Sequence, residues 1–408
     1  MLKIEYILMR GEALKKQSFL FLIGGIFSLI IAMGIGRFAY TPLLPLMQKD
    51  LSFSNAVAGY LASSNYAGYL LGAILAGAIP LKGYRTISLR ISLIVSIFTT
   101  ALMGLAYSHL LWYVLRFLSG LASAFVFVLA SGIVLDKLAA RNKTNWSGLF
   151  YGGVGCGIFL SSLLIPSLNH SFQWEGTWIG LAALSGILAC FVWFWLTDTA
   201  NIVEMKHKQK IFEQVPPTKW LPWLTIAYGL EGLGYIVTGT FIVSIAEKTS
   251  AFHSDATLVW MMVGVAAIPS CFIWSLLAKK WGYVTSLVLA MTLQSLGIVM
   301  PVFWMSQMSL VISALLFGAT FMGITTLATT LARQMNPSNS SRIIGNLTAI
   351  YAVGQMIGPT IAGVLSSFTQ DFNTALIGAA SVVLVGAGLL LNGIQFERKA
   401  NVKNSSIH

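Results

Sequence analysis

Twelve apolar stretches, each about 20 residues long, follow one another along the chain with only short connections between them. A helix needs about 20 mostly apolar residues to cross the hydrocarbon core of a bilayer, so each stretch is a predicted transmembrane helix. Charged residues make up 9% of the sequence, against about 25% in soluble domains, which favours a multi-pass protein of a lipid bilayer without a soluble catalytic domain. The stretches lie near residues 19–46, 54–79, 88–107, 111–134, 145–168, 177–196, 220–246, 256–278, 284–304, 308–332, 343–368 and 372–396.

The basic residues are distributed very unevenly between the two sides of the predicted membrane. With the N-terminus placed in the cytoplasm, 21 of the 25 Lys and Arg residues fall on the cytoplasmic side, and only Lys49 and Lys248 fall on the other. Basic segments are retained in the cytoplasm during insertion, so this asymmetry predicts that both termini are cytoplasmic. The net charge of +12 is explained by topology, and we expect no nucleic-acid partner.

A polar, basic connection near the middle of the chain separates six predicted spans from the next six. It ends in Pro216-Pro217, which prevents a helix from continuing into the next span. The predicted organisation is a cytoplasmic N-terminal segment, a six-helix bundle, a cytoplasmic linker, a second six-helix bundle and a cytoplasmic tail, at residues 1–18, 19–196, 197–219, 220–396 and 397–408.

Short similar segments recur in the two halves at nearly constant spacing. Three pairs of similar segments, in the same order and at nearly equal separation along the chain, favour a duplicated six-helix unit. Because each unit has an even number of spans, the two copies are parallel repeats. The matched pairs are Tyr40 with Tyr235, Gly83 with Gly282, and Gly120 with Gly318, at offsets of 195, 199 and 198 residues.

Several motifs resemble those of a known transporter family. The first span contains GIGRFAYTPLLPLM, the seventh contains YGLEGLGY, and the fourth carries R-x-x-x-G from Arg116 to Gly120. The chain is similar to the major facilitator superfamily, and within it to the bacterial YbfB/YjiJ branch. The resemblance implies an all-α fold of twelve transmembrane helices in two pseudo-symmetric six-helix bundles. It also implies a monomeric secondary transporter of the bacterial inner membrane, with spans one, four, seven and ten lining a central cavity.

Other positions depart from the family pattern. Pro80 and Lys279 stand where the loops after spans two and eight typically carry Asp, and Ser119 stands where many members carry Gln in span four. The Gly-Pro motif that antiporters show in span five is absent there and occurs at Gly358-Pro359 in span eleven. This last departure disfavours an antiporter.

Only three charged residues fall deep inside predicted spans, and all three lie on cavity-lining spans by the resemblance: Arg37, Arg116 and Glu231. A charge at the bilayer centre costs about 2.5–3.5 kcal/mol on insertion scales, so each must face water or a partner. We predict that Arg37 faces a water-filled cavity and anchors an anionic group of the substrate, because its planar guanidinium suits carboxylates. Snorkelling of Arg37 toward the headgroups is the alternative.

Glu231 is the only carboxylate predicted in mid-membrane. Burial favours the neutral form of a carboxyl group and a nearby arginine favours the ionised form, so Glu231 is the predicted proton carrier. Arg37 and Glu231 lie at similar heights on their helices and are predicted to pair in at least one conformation. For Arg116 the resemblance implies proton coupling or a role in holding the cavity together, and snorkelling remains an alternative.

Five further polar residues on predicted spans are candidate site residues. Tyr40, Tyr235 and Gln355 are predicted to bind substrate, and Asn65 and Tyr66 to line the cavity. Packing or hydrogen bonding between helices is the alternative for all five.

Other chemistries find little support in the sequence. The three Cys residues have no paired spacing, no metal or nucleophile constellation assembles, and no P-loop occurs, so we expect no cofactor, no metal and no enzymatic activity.

The predicted function is transport of a small organic solute, coupled to H⁺. The solute is favoured to be anionic or carboxylate-bearing, because the predicted pathway is net positive. Multidrug or amphiphile efflux by proton antiport is the alternative within transport. A non-transporting sensor or scaffold is the alternative outside it.

Overall fold

The regular secondary structure of the described residues is entirely helical. The computed structural model describes residues 17–79, 83–141, 143, 146–198, 215–249, 252, 255–304, 306–336 and 340–397. Most of the predicted N-terminal segment, linker and tail lies outside these ranges, as does Pro80. The helices are α1 (Gln17–Leu51), α2 (Asn55–Ala78), α3 (Arg85–Met103), α4 (His109–Ala140), α5 (147–172), α6 (174–195), α7 (Leu221–Glu247), α8 (Thr257–Trp281), α9 (Tyr283–Phe303), α10 (Gln307–Met335), α11 (Ser340–Thr369) and α12 (Asn373–Leu390).

Ten helices of the described chain are long and apolar enough to cross a membrane. That number treats Ser147–Trp195 as one helix, although Gln173 inside it has a non-helical backbone, with φ 59°, and separates α5 from α6. It also omits α2, a 24-residue helix whose hydropathy is lowered by polar residues such as Ser63, Ser64 and Asn65. Counting α2 and dividing Ser147–Trp195 at Gln173 gives the twelve helices α1 to α12 of the described chain.

The helix α1 is irregular in its middle. Residues Ile30–Ile35 form a π-helical turn, in which the N–H of Gly36 donates to the carbonyl of Ile31 at 2.9 Å. A regular helix resumes at Tyr40–Leu51. Pro42 lies in the first turn of this second piece, where its missing N–H is not needed. Carbonyl groups at the break are consequently left to accept hydrogen bonds from other helices.

The predicted internal repeat is visible in the backbone. Gly83 and Gly282, which are 199 residues apart, precede α3 and α9 and both have positive φ, 91° and 96°. A Cβ added at Gly120 would lie 1.8 Å from the carbonyl oxygen of Asn65, and one added at Gly318 would lie 2.3 Å from that of Val263. Both members of this second contact are 198 residues beyond those of the first. The halves thus repeat the α4–α2 contact as α10–α8.

The two halves meet through direct contacts between their helices. The Ser63 hydroxyl of α2 donates to the Met356 carbonyl of α11 at 2.6 Å and lies 2.8 Å from the Thr360 hydroxyl. The Thr41 hydroxyl of α1 donates to the Gly239 carbonyl of α7 at 2.6 Å. These contacts bring α1 and α2 of the first half against α7 and α11 of the second, and the candidate site lies at this interface.

Candidate functional site

Arg37 lies at the centre of the interface between the halves, beside the break in α1. Its side chain is 3% exposed, and its guanidinium carbon is 4.1 Å from the ring centroid of Tyr69 and 4.6 Å from that of Tyr66. One guanidinium nitrogen donates to the Gln355 side-chain oxygen at 3.0 Å. Arg37 therefore neither snorkels to a headgroup nor faces open water, because two aromatic faces and an amide replace its solvation.

The guanidinium of Arg37 is not fully satisfied. Its Nε is buried without a hydrogen-bond partner, and no carboxylate of the described chain lies within ion-pair distance of Arg37 or of Arg116. Buried charges in proteins are ordinarily paired. Two buried cations with no ion-pair partner among the described residues make this region net positive and leave the Arg37 Nε donor unpartnered.

A chain of polar contacts leads from Arg37 into the second half. Gln355, which accepts from Arg37, donates through its amide nitrogen to the Tyr235 hydroxyl. Tyr351 interacts electrostatically with both Tyr235 and Glu231. The predicted direct pair between Arg37 and Glu231 is absent in this conformation, because Gln355, Tyr235 and Tyr351 lie between them.

Glu231 is fully buried inside the second half. Its side chain is 0% exposed, and neither carboxyl oxygen has a hydrogen-bond partner among the described residues. It interacts with Gln294 of α9 and with Tyr351 without reaching hydrogen-bonding geometry. The Gln294 amide is itself 0% exposed, and both of its polar atoms are unpartnered. A carboxyl group in such surroundings can hold or release a proton only if the conformation changes or water enters.

Arg116 of α4 contacts the backbone of α1 at its break. Its two terminal nitrogens donate to the carbonyls of Gly36 and Arg37, each at 3.3 Å, and the Ser119 hydroxyl donates to the Gly36 carbonyl at 2.9 Å. The guanidinium carbon also lies 4.5 Å from the ring centroid of Tyr40. These contacts favour the second role that the resemblance implies for Arg116, which is to hold the site together by satisfying the carbonyls that the irregular helix leaves free.

We expect Arg116→Met to lower the stability of the protein by about 1–3 kcal/mol, because the Arg37 carbonyl would lose its donor inside the membrane. Thermal unfolding of the purified protein in detergent measures this effect. Lys143→Met, in the middle of the α4–α5 connection, is the control; its ammonium lies 4.1 Å from the Trp146 ring centroid, a contact worth about 0.5–1 kcal/mol outside the core, so the unfolding temperature should change little. An unchanged unfolding temperature for Arg116→Met would contradict the positioning role.

The remaining predicted residues are all buried around these groups. The Tyr40 hydroxyl donates to the Ala58 carbonyl at 3.0 Å, and the Asn65 amide donates to the Arg116 carbonyl at 2.9 Å. Tyr40 and Asn65 therefore act first as hydrogen-bonding residues between helices. Tyr66 covers Arg37, whereas Tyr235 and Gln355 belong to the polar chain described above.

Sequence reasoning missed Tyr69, Tyr351 and Gln294. Helical spacing offered a signal for two of them, since Tyr69 follows Tyr66 by three residues and Tyr351 precedes Gln355 by four, which places each pair on one helix face. Gln294 is an isolated amide in an apolar span, and a polar side chain at that depth is a signal in itself.

Comparison with known proteins agrees with this architecture. A family described as "Uncharacterised MFS-type transporter YbfB" matches residues 29–391. The class H tetracycline resistance protein of Pasteurella multocida is 22% identical over 392 residues, covering 91% of this chain and 95% of that protein. The gentisate transporter of Corynebacterium glutamicum is 19% identical over 380 residues, covering 90% and 85%. The crystal structure of the nucleoside transporter NupG aligns with a TM-score of 0.64 at 15% identity, covering 93% and 98%.

Two repeated helical bundles around a buried polar site are the architecture of many secondary transporters. The family match spans most of the chain, so the chain belongs to the YbfB-type family of the major facilitator superfamily. The predicted fold class, the family and the transport of a small molecule by a multi-pass membrane protein are confirmed. So is the prediction that the chain is not an enzyme, since the family and its structural neighbours are transporters.

Proposed function

We propose that this transporter carries a small organic anion across the inner membrane and couples its movement to H⁺. The observation that carries the proposal is the Arg37 guanidinium, which is buried between the halves and, within the part of the chain that the structure describes, has an unpartnered Nε and no carboxylate partner. An anionic solute would supply the missing counter-charge, and the second buried cation, Arg116, adds to the attraction. A cationic solute would face two like charges.

Glu231 is the proposed proton carrier. It is connected to the anion site through Tyr351, Tyr235 and Gln355, so a change in its charge would be felt at Arg37 through groups that can reorient. An anion that moves with one proton crosses without net charge, which avoids the cost of carrying a bare charge through the membrane. The proposed orientation has both termini in the cytoplasm, as the distribution of basic residues predicts.

A thermal-shift screen of the purified protein tests the anion proposal. The panel contains small carboxylates, amines and neutral solutes, each tested at an acidic and a neutral pH. A ligand at 100 times its dissociation constant stabilises the protein by about 2.7 kcal/mol, so stabilisation confined to carboxylates is the expected result. Stabilisation by amines or neutral solutes alone would refute the proposal.

Efflux of drugs or amphiphiles by proton antiport is the second candidate function. It is favoured by the aromatic residues around the site and by the similarity to a tetracycline resistance protein. Promiscuous efflux requires an adaptable surface and predicts stabilisation by chemically unrelated ligands in the same screen. A response limited to one chemical class would favour the metabolite transporter.

A further inference from the structure

Five aromatic rings of the second half form one near-parallel arrangement beside the anion site. We call it the ring stack, and it consists of Tyr228 and Tyr235 of α7, Phe317 and Phe321 of α10, and Tyr351 of α11. Every contacting pair within it has an interplanar angle of 18° or less, with centroids 4.1–6.2 Å apart.

Ordinary aromatic packing elsewhere in the protein has a different geometry. In the first half, Trp112 and Trp174 meet at 83° and Tyr107 and Trp174 at 77°, which are the edge-to-face arrangements common in protein cores. The planes are parallel across three helices, and because all five rings are 6% exposed or less, a ligand would reach their flat faces only when the site opens. Such faces are complementary to another flat ring, because offset stacking at these distances is favourable.

The ring stack and the guanidinium of Arg37 are linked by hydrogen bonds through Gln355. Tyr235, at the centre of the stack, accepts a hydrogen bond from Gln355, and Gln355 accepts one from Arg37. The first half therefore supplies the positive charge of Arg37, and the second half supplies the flat aromatic faces. The side-chain amide of Gln355 separates the guanidinium from the ring stack.

We propose that the transported anion is an aromatic carboxylate, with its carboxylate on Arg37 in place of Gln355 and its ring parallel to the ring stack. This inference rests on the proposed anion site and adds the chemical class of the rest of the solute. The hydroxyl groups of Tyr228, Tyr235 and Tyr351 offer hydrogen bonds to polar substituents on the ring. A saturated acid of the same size would meet the same cation but would lose the stacking.

Isothermal titration of the purified full-length protein with three probes tests the inference. Benzoate has both features, cyclohexanecarboxylate has the charge without the aromatic ring, and benzamide has the ring without the charge. We expect benzoate to bind about tenfold more tightly than cyclohexanecarboxylate and at least about thirtyfold more tightly than benzamide. Absence of benzoate binding would overturn the inference.

The remaining outcomes separate this inference from the proposed function. Equal binding of benzoate and cyclohexanecarboxylate would overturn the aromatic selectivity and leave the anion site intact. Equal binding of benzoate and benzamide would overturn the anion site.

A pair of variants locates the selectivity in the ring stack. Phe321→Leu removes one ring and no polar group, so benzoate should bind about tenfold more weakly while cyclohexanecarboxylate is unaffected. Phe303→Leu, at a position of α9 that is 80% exposed, is the matched control and should change neither. Thermal unfolding establishes that both variants are folded, and an equal loss of both acids in Phe321→Leu would contradict a stacking role.

Discussion

Arg37→Met is expected to weaken the binding of carboxylates strongly in a protein that still folds. Truncating one partner of a buried, hydrogen-bonded charge pair costs about 2–5 kcal/mol, so affinity for the bound carboxylate should fall at least about thirtyfold. Stability should fall only in part, because the desolvation cost of an unpaired buried cation is removed while the Gln355 oxygen loses its donor and the Tyr66 and Tyr69 rings lose their cation–π contacts. Titration with benzoate and thermal unfolding of the same preparation measure the two effects.

Two further variants complete this test. Arg37→Lys keeps the charge but loses the planar fork, so it should bind carboxylates with an affinity between those of the native protein and Arg37→Met. Arg141→Met lies at the end of α4, where the native guanidinium donates to Gln17, and should bind as the native protein does. Native carboxylate affinity in Arg37→Met would remove Arg37 from the site.

The second expected result concerns Glu231. Glu231→Gln should eliminate accumulation of the substrate in response to a pH gradient while leaving exchange of substrate across the membrane intact. With one proton per solute, a gradient of one pH unit supports about a tenfold concentration ratio, and the variant should reach a ratio of about one. Proteoliposomes loaded at one pH and diluted into another measure accumulation, and counterflow at equal pH measures exchange.

The control for Glu231→Gln is Asp50→Asn, at an exposed position at the end of α1, which should accumulate substrate as the native protein does. Full accumulation by Glu231→Gln would show that another group carries the proton. Loss of both accumulation and exchange would instead indicate that the neutral amide blocks the conformational change, and would contradict the proposed role as well.

The fold could be predicted because two local features of the sequence, its hydropathy and its repeated glycines, indicate it. Span positions depend on local hydropathy, and the repeat depends on glycines such as Gly120 and Gly318 whose close contacts admit no larger residue. Both signals are present in short stretches of sequence. The π-helical turn in α1 carries no comparable signal, because it depends on donors that Arg116 and Ser119 supply from 80 or more residues away.

The sequence indicates which residues form the candidate site more reliably than it indicates which of them contact one another. Charge and polarity at membrane depth identified Arg37, Glu231 and Gln355, since such groups are costly wherever they lie. The pairing of Arg37 with Glu231 was inferred from their heights alone, and height does not determine which way a side chain points. Glu231 interacts with Gln294 of α9, and Arg37 turns toward α11.

The two halves repeat the same backbone fold, but the charged side chains of the site are not repeated. The position 198 residues beyond Arg116 is Ala314, and the position 195 residues before Glu231, the offset of Tyr40 and Tyr235, is Gly36, so neither charge has a counterpart in the opposite copy. A solute bound between the halves would contact the guanidinium of Arg37 at one end and the ring stack at the other. The solute would consequently bind in one orientation. It would keep that orientation relative to the two halves during transport, whichever side of the membrane it entered from.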